Sequence, residues 1–95
     1  MNLDAMRWAL YKAPLQANAA QARNRLALTV IAARALGGRA DVTRAMIAAE
    51  TQLSTNTVTK ATQALEQAGL IVRVPNGWEI NMDMVRTTAA VEVQP

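Results

Sequence analysis

The sequence predicts a mainly α domain with a small β-hairpin, and three observations carry that reading. Residues 18–36 are dominated by alanine and leucine, have the length of one long helix, and are ended by Gly37–Gly38. Residues 43–71 hold two short helical patterns separated by a turn too brief for anything but tight helix–helix packing. After Gly69 the apolar period changes from helical to alternating, and Pro75–Asn76–Gly77 interrupts the alternation as a hairpin turn does. The chain accordingly divides into an N-terminal segment 1–17, a domain 18–83 and a tail 84–95.

The first stretch, Asn2–Lys12, is weakly helical. Leu3, Met6, Trp8, Leu10 and Tyr11 give it apolar mass without one clean stripe, and Pro14 stops a helix from continuing. Trp8 has two readings: it closes one end of the core, or it anchors a second subunit. Across Asn18–Leu36, Leu26, Val30 and Ala33 form one stripe, with Leu28, Ile31 and Ala35 forming another beside it. So wide an arc suits a helix that packs on the helical pair with one side and on a hairpin or a partner with the other. Arg23, Arg25 and Arg34 then form its solvated surface, with a phosphate contact from one of them as the alternative.

Asp41–Val42 is placed as a short strand beside the hairpin, and either Asp41 or Thr43 caps the next helix. In Thr43–Gln52, Met46, Ile47 and Ala49 share a face, and Ala48 is small enough for close approach. Ser54 is the N-cap of a second helix, which spans residues 54–68 and meets Gly69 as its C′ residue. Val58, Thr62 and Leu65 turn toward the core. The opposite side carries Thr55, Asn56, Thr59, Lys60 and Gln63, all polar and none acidic. Their amide, hydroxyl and ammonium groups are the kind that read base edges in the DNA major groove.

In the hairpin, a type I turn centred on Pro75–Asn76 with Gly77 left-handed sets Val74 against Trp78 and Val72 against Ile80. Arg73 then pairs with Glu79 on the other face; a two-residue Asn76–Gly77 turn is the alternative. Trp78 lies in register with the apolar set and packs against the helices. The tail contains a terminal helical turn and then five frayed residues.

Residues 43–71 resemble the helix-turn-helix of winged-helix bacterial and phage regulators. Thr43, Ile47, Ala48, Leu53, Ser54, Thr57, Val58, Leu65, Gly69, Leu70 and Ile71 match that run in order and spacing, over about a third of the chain. Gln52 departs from it, standing in the turn where the family usually has Gly. The resemblance implies a winged helix-turn-helix that binds double-stranded DNA as a small transcriptional regulator. Helix 54–68 would enter the major groove, with Thr55, Asn56, Thr59, Lys60 and Gln63 facing the bases. Thr43, Arg44, Thr57 and Arg73 are the expected phosphate contacts. The leading Met6-Arg7-Trp8-Ala9-Leu10 also resembles the start of small phage and plasmid proteins, which makes replication or partition an alternative role. A protein-protein interaction module without DNA binding is the other alternative, its polar helix face being ordinary solvated surface.

Composition agrees with one core and a polyanionic partner. The 95 residues are 52% hydrophobic but only 3% aromatic, so the interior must be built from small aliphatic side chains. Ten basic residues against seven acidic ones give a formal charge of +3. Cysteine and histidine are absent, which excludes disulfides, Cys/His zinc sites and imidazole catalysis. The carboxylates are scattered, and the one serine sits at a helix cap, so the chain is expected not to be an enzyme and to need no metal or cofactor. No apolar run reaches membrane-spanning length, no secretory leader is recognisable, and there is no room for a separate effector domain; the expected location is cytoplasmic. A homodimer is expected because one small module makes few base contacts. Its interface is assigned to Trp8, Leu10, Tyr11, Leu28 and Ile31.

Overall fold

Short polar side chains start the helices. In the computed structural model, which describes residues 3–16 and 18–93 and side chains through residue 87, Asn18 accepts a hydrogen bond from the Gln21 amide at 3.0 Å and opens α2 (Ala19–Arg34). Thr43, and not Asp41, caps α3 (Arg44–Thr51) by accepting from the Met46 amide at 3.2 Å. Ser54 caps α4 (Thr55–Gln67) by accepting from the Thr57 amide at 3.1 Å. At its far end Gly69 takes φ 77°, its amide donates to Glu66 O, and the Leu70 amide donates to Leu65 O. That paired arrangement satisfies the last carbonyls of α4.

At the N-terminus α1 (Leu3–Arg7) runs into one π-helical turn, Trp8–Lys12, and stops at Ala13–Pro14. The tail is more ordered than its weak periodicity suggests. Asn81 Oδ1 accepts from the Met84 amide at 3.1 Å, and α5 (Met82–Val93) follows. Of the five residues expected to fray, 91–93 continue this helix, while 94 and 95 lie outside the described residues.

The strands form one antiparallel sheet in the order β1-β2-β4-β3. The long helix ends at Arg34, short of Leu36, because Ala35–Leu36 (β1) folds back on Arg39–Ala40 (β2). Gly37 and Gly38 connect them with φ values of 60° and 91°, the left-handed backbone that a two-residue hairpin turn requires. The strand beside the hairpin is thus Arg39–Ala40, two residues earlier than Asp41–Val42, and Val42 is buried in the core instead.

The register of β3 (Ile71–Val74) on β4 (Gly77–Ile80) differs by one residue from the expected pairing and by two from the Asn76–Gly77 alternative. Ile71 pairs with Ile80, Val72 with Glu79, Arg73 with Trp78 and Val74 with Gly77. The reason lies in the turn: Asn76 itself adopts φ 69°, so Pro75 and Asn76 suffice as a two-residue connection and Gly77 becomes the first residue of β4. Gly77 also sits against the Ala40 backbone, where a Cβ would overlap the carbonyl oxygen. A one-residue slip exchanges the faces of a strand. Val72 therefore points outward, 60% exposed, while Ile71 and Ile80 are buried together and Arg73 joins the row of Trp78, Ala40 and Ala35.

The core lies between the inner sheet face and the helices. Leu28 and Ile31 of α2, Ile47 of α3, Val58 and Leu65 of α4, and Trp78 and Ile80 of β4 are all buried in it. Each such aliphatic side chain contributes about 1.5–3 kcal/mol relative to exposure. The N-terminal segment belongs to the same core, since Ala5, Trp8 and Ala9 are buried there and α1 packs on α2. The boundary drawn at residue 18 does not divide the packing. Three of the five residues assigned to a dimer interface are corrected by this: Trp8 is 3% exposed, and Leu28 and Ile31 are fully buried, because they belong to the core that α2 forms with the other helices and the sheet. Leu10 and Tyr11 remain on the surface.

Arg25 is corrected too. It is not solvated surface: its guanidinium donates to the carbonyls of Ala9 at 2.7 Å, Ala13 at 2.9 Å and Leu15 at 3.3 Å. Ala13 O also accepts the Leu15 amide at 2.7 Å, so the guanidinium spans the end of the π-helical turn and the loop that follows it. Arg25 thereby fastens the N-terminal segment to α2.

Candidate nucleic-acid interface

Two helices separated by three residues must turn sharply, and here a non-glycine residue makes the turn. Gln52 adopts φ 63°, ψ 19°. The Thr51 hydroxyl closes the turn by donating to Ile47 O at 2.7 Å and accepting from the Leu53 amide at 3.3 Å. With its backbone groups so engaged, the turn holds without the usual Gly.

The turn sets α3 against α4 and leaves one side of α4 open. Val58, Ala61, Thr62 and Leu65 are buried, and the Thr62 hydroxyl donates to the carbonyls of Val58 and Thr59. Thr55, Asn56, Lys60 and Gln63 are exposed together on the other side. Thr59 is half-buried and its hydroxyl donates to Thr55 O at 2.9 Å, so only acceptor capacity is left to it. The open face therefore offers two amides, one ammonium and the Thr55 hydroxyl at helical spacing.

The residues expected to hold phosphate separate into two kinds. Thr43 and Thr57 take part in helix caps: Thr43 accepts from the Met46 amide, and the Thr57 hydroxyl accepts from the Ser54 hydroxyl at 2.9 Å. Arg44 and Arg73 come together on one ring. Their guanidinium carbons lie 5.4 and 5.7 Å from the centroid of Trp78, within cation–π range. The Trp78 indole N–H donates to Glu66 Oε1 at 2.9 Å. One aromatic side chain thus joins the start of α3, the end of α4 and strand β3.

Four of the other cations have partners within the chain. Arg34 pairs with Glu50, Arg39 with Asp41 at 3.5 Å and Arg86 with Asp83 at 3.2 Å, and Arg25 is filled by carbonyls. Among the described residues Arg44 and Arg73 meet no carboxylate within ion-pair distance, nor does Lys60, and Arg44 Nε is buried without a hydrogen-bond partner. Arg7 of α1 and Arg23 of α2 likewise meet no carboxylate among the described residues.

Sequence reasoning missed two parts of this arrangement. Trp78 lies opposite Arg73 only through a register that the turn chemistry decides, and Glu66 accepts from its indole N–H. Arg39 reaches the hairpin tip and donates to Pro75 O at 2.8 Å, a contact set by the non-local pairing of β2 with β4 that nothing near Arg39 in sequence signals. Among the described residues no three of His, Cys, Asp and Glu gather as a metal site needs, and no helix is long and apolar enough to cross a membrane. Comparison with known protein families, curated proteins and solved structures finds no match.

Proposed function

We propose that this chain is a small winged helix-turn-helix transcriptional regulator that binds double-stranded DNA sequence-specifically, with α4 in the major groove. The observation that carries the reading is the open face of α4, where Thr55, Asn56, Lys60 and Gln63 stand exposed with no acidic side chain from Leu53 to Leu65. A helix face that only meets water usually mixes both signs of charge. Asn56 and Gln63 carry the amide that pairs bidentately with adenine, a contact that discriminates by about 1–3 kcal/mol, and Lys60 suits guanine acceptors or a phosphate. Arg44 and Arg73 supply the sequence-independent part, positive charge that no carboxylate among the described residues pairs with.

Two copies on one duplex belong to this reading. Related by two-fold symmetry, they would set their α4 helices about 34 Å apart on an imperfect palindrome. The test is fluorescence anisotropy against a pool of duplexes at two salt concentrations. Binding should weaken as salt rises, Lys60→Ala should weaken it broadly, and Asn56→Ala or Gln63→Ala should alter the preferred sequences. A folded protein that binds no duplex at low salt overturns the proposal.

A further inference from the structure

We propose that Arg44 and Arg73 form a single anion site for the phosphodiester backbone, and that Trp78 is the positioning residue that holds both guanidiniums for it. This deepens the DNA-binding reading and rests on it. The hairpin register makes the site. Had Arg73 lain opposite Glu79, as the sequence suggests, a carboxylate would have neutralised it. The one-residue shift puts Arg73 opposite Trp78 instead, and Val72 opposite Glu79. Arg44 reaches the same ring from the first residue of α3, so the two guanidinium carbons can be no further apart than the sum of 5.4 and 5.7 Å. Within that limit the two can serve neighbouring phosphates of one strand.

The ring holds these side chains without filling their donors. A cation resting near an aromatic face keeps its N–H groups unmatched, whereas one paired with a carboxylate does not. Arg25, Arg34, Arg39 and Arg86 are satisfied within the chain, but Arg44 retains a buried Nε with no partner. Glu66 does not neutralise the pair by hydrogen bonding, because its bond runs to the indole N–H and fixes the ring. Guanidinium forks held in place lose less side-chain freedom on meeting phosphate, and the bonds they form are charge-assisted.

The test compares binding of a random-sequence duplex over a salt series for the wild type and four variants. Arg44→Ala and Arg73→Ala should each reduce the slope of log K against log salt by about one. Trp78→Leu should weaken binding several-fold and flatten the slope with both arginines still present, while Arg86→Ala, which removes a guanidinium paired with Asp83 and not seated on the ring, should match the wild type. A folded Trp78→Leu protein with the wild-type slope overturns the positioning role. Trp78 is buried, so a second measurement decides the matter should Trp78→Leu fail to fold. In a Trp8→Phe background, which removes an indole whose N–H has no partner, Trp78 is the one remaining tryptophan. Saturating duplex should change its emission, and Arg44→Ala with Arg73→Ala should abolish the change. Unchanged emission at saturation overturns the site. Wild-type protein that binds while both arginine variants keep its slope sinks this inference alone; wild-type protein that is folded and never binds sinks the DNA reading with it.

Discussion

The Trp78 indole nitrogen lies 2.9 Å from Glu66 Oε1, so a single hydrogen bond ties the central strand β4 to the last turn of α4. The bond fixes the orientation of the hairpin relative to the helix whose polar face is open. It also spares a nearly buried ring, 2% exposed, from carrying an unmatched donor.

Glu66→Ala should therefore destabilise the fold by about 1–3 kcal/mol, the usual penalty for leaving a buried polar group without its partner. Glu66→Gln keeps a side-chain oxygen for the indole and should lose less than about 1 kcal/mol. Urea denaturation of the three proteins gives the comparison. Equal losses for Ala and Gln would show that the bond does not carry the effect.

Gly77 and Gly69 make a second ordered pair. At Gly69 a Cβ would meet nothing within 4 Å, so Gly69→Ala suffers only from its φ of 77°, a penalty of about 1 kcal/mol. At Gly77 the Cβ would overlap the Ala40 carbonyl oxygen and lie 3.2 Å from Asp41 Cα. Because those are backbone atoms, β2 must move away from β4, and Gly77→Ala should lose roughly 2–3 kcal/mol. Thermal unfolding should rank Gly77→Ala well below Gly69→Ala; the reverse order would mean that the two strands approach less closely than described.

These residues also mark what the sequence made legible. Thr43, Ser54 and Gly69 act as the helix-boundary signals they resemble, because capping is local chemistry written within four residues. The α4 face was legible for the same reason: Asn56, Lys60 and Gln63 share a side through helical spacing alone. Register was not. It turned on whether Asn76 or Gly77 would take the left-handed position, and Asn tolerates that conformation well enough to compete. From that one choice follow the exposure of Val72, the partner of Arg73 and the arginine pair on Trp78. The β1–β2 hairpin was hidden within an apparent helix because Ala35 and Leu36 are good helix formers, overruled by pairing with Arg39 and Ala40. The role of Arg25 was equally hidden, since its three carbonyl partners lie 10 to 16 residues away in the chain.

Arg25→Ala should loosen the N-terminal segment specifically. Three charge-assisted bonds to carbonyls disappear, and a loss of about 1.5–3 kcal/mol is expected for the set after water replaces part of them. Lysine should not restore it, because one ammonium cannot present the spread fork that spans Ala9, Ala13 and Leu15. Hydrogen exchange should show faster amides in α1 and the π-helical turn than in α4. Uniformly faster exchange across the whole chain would indicate instead that Arg25 supports the core as a unit.

Assembly is the last expectation, and subtraction leaves the chain's N-terminal surface as its proposed seat. With Trp8, Leu28 and Ile31 inside the core, the apolar groups left outside on the first helical stretch are Leu3, Leu10 and Tyr11, at 63%, 43% and 74% exposure. Single exposed apolar residues are common on monomers. These three, however, fall at seven- and one-residue steps on the side of α1 and its π-helical extension opposite the buried Ala5, Trp8 and Ala9. A standard interface buries about 800 Å² on each partner, and three side chains supply only part of that. The expected homodimer is accordingly weak, with Kd on the order of micromolar or above. Sedimentation equilibrium should show concentration-dependent association of the wild type, and Tyr11→Glu should shift it to monomer without lowering thermal stability, since the ring is already in water. Trp8→Ala is expected to behave differently: it empties a core site and should destabilise the monomer by about 3–5 kcal/mol. A wild type that stays monomeric up to on the order of a hundred micromolar defeats the homodimer, while a dimer indifferent to Tyr11→Glu keeps the assembly and removes it from this surface.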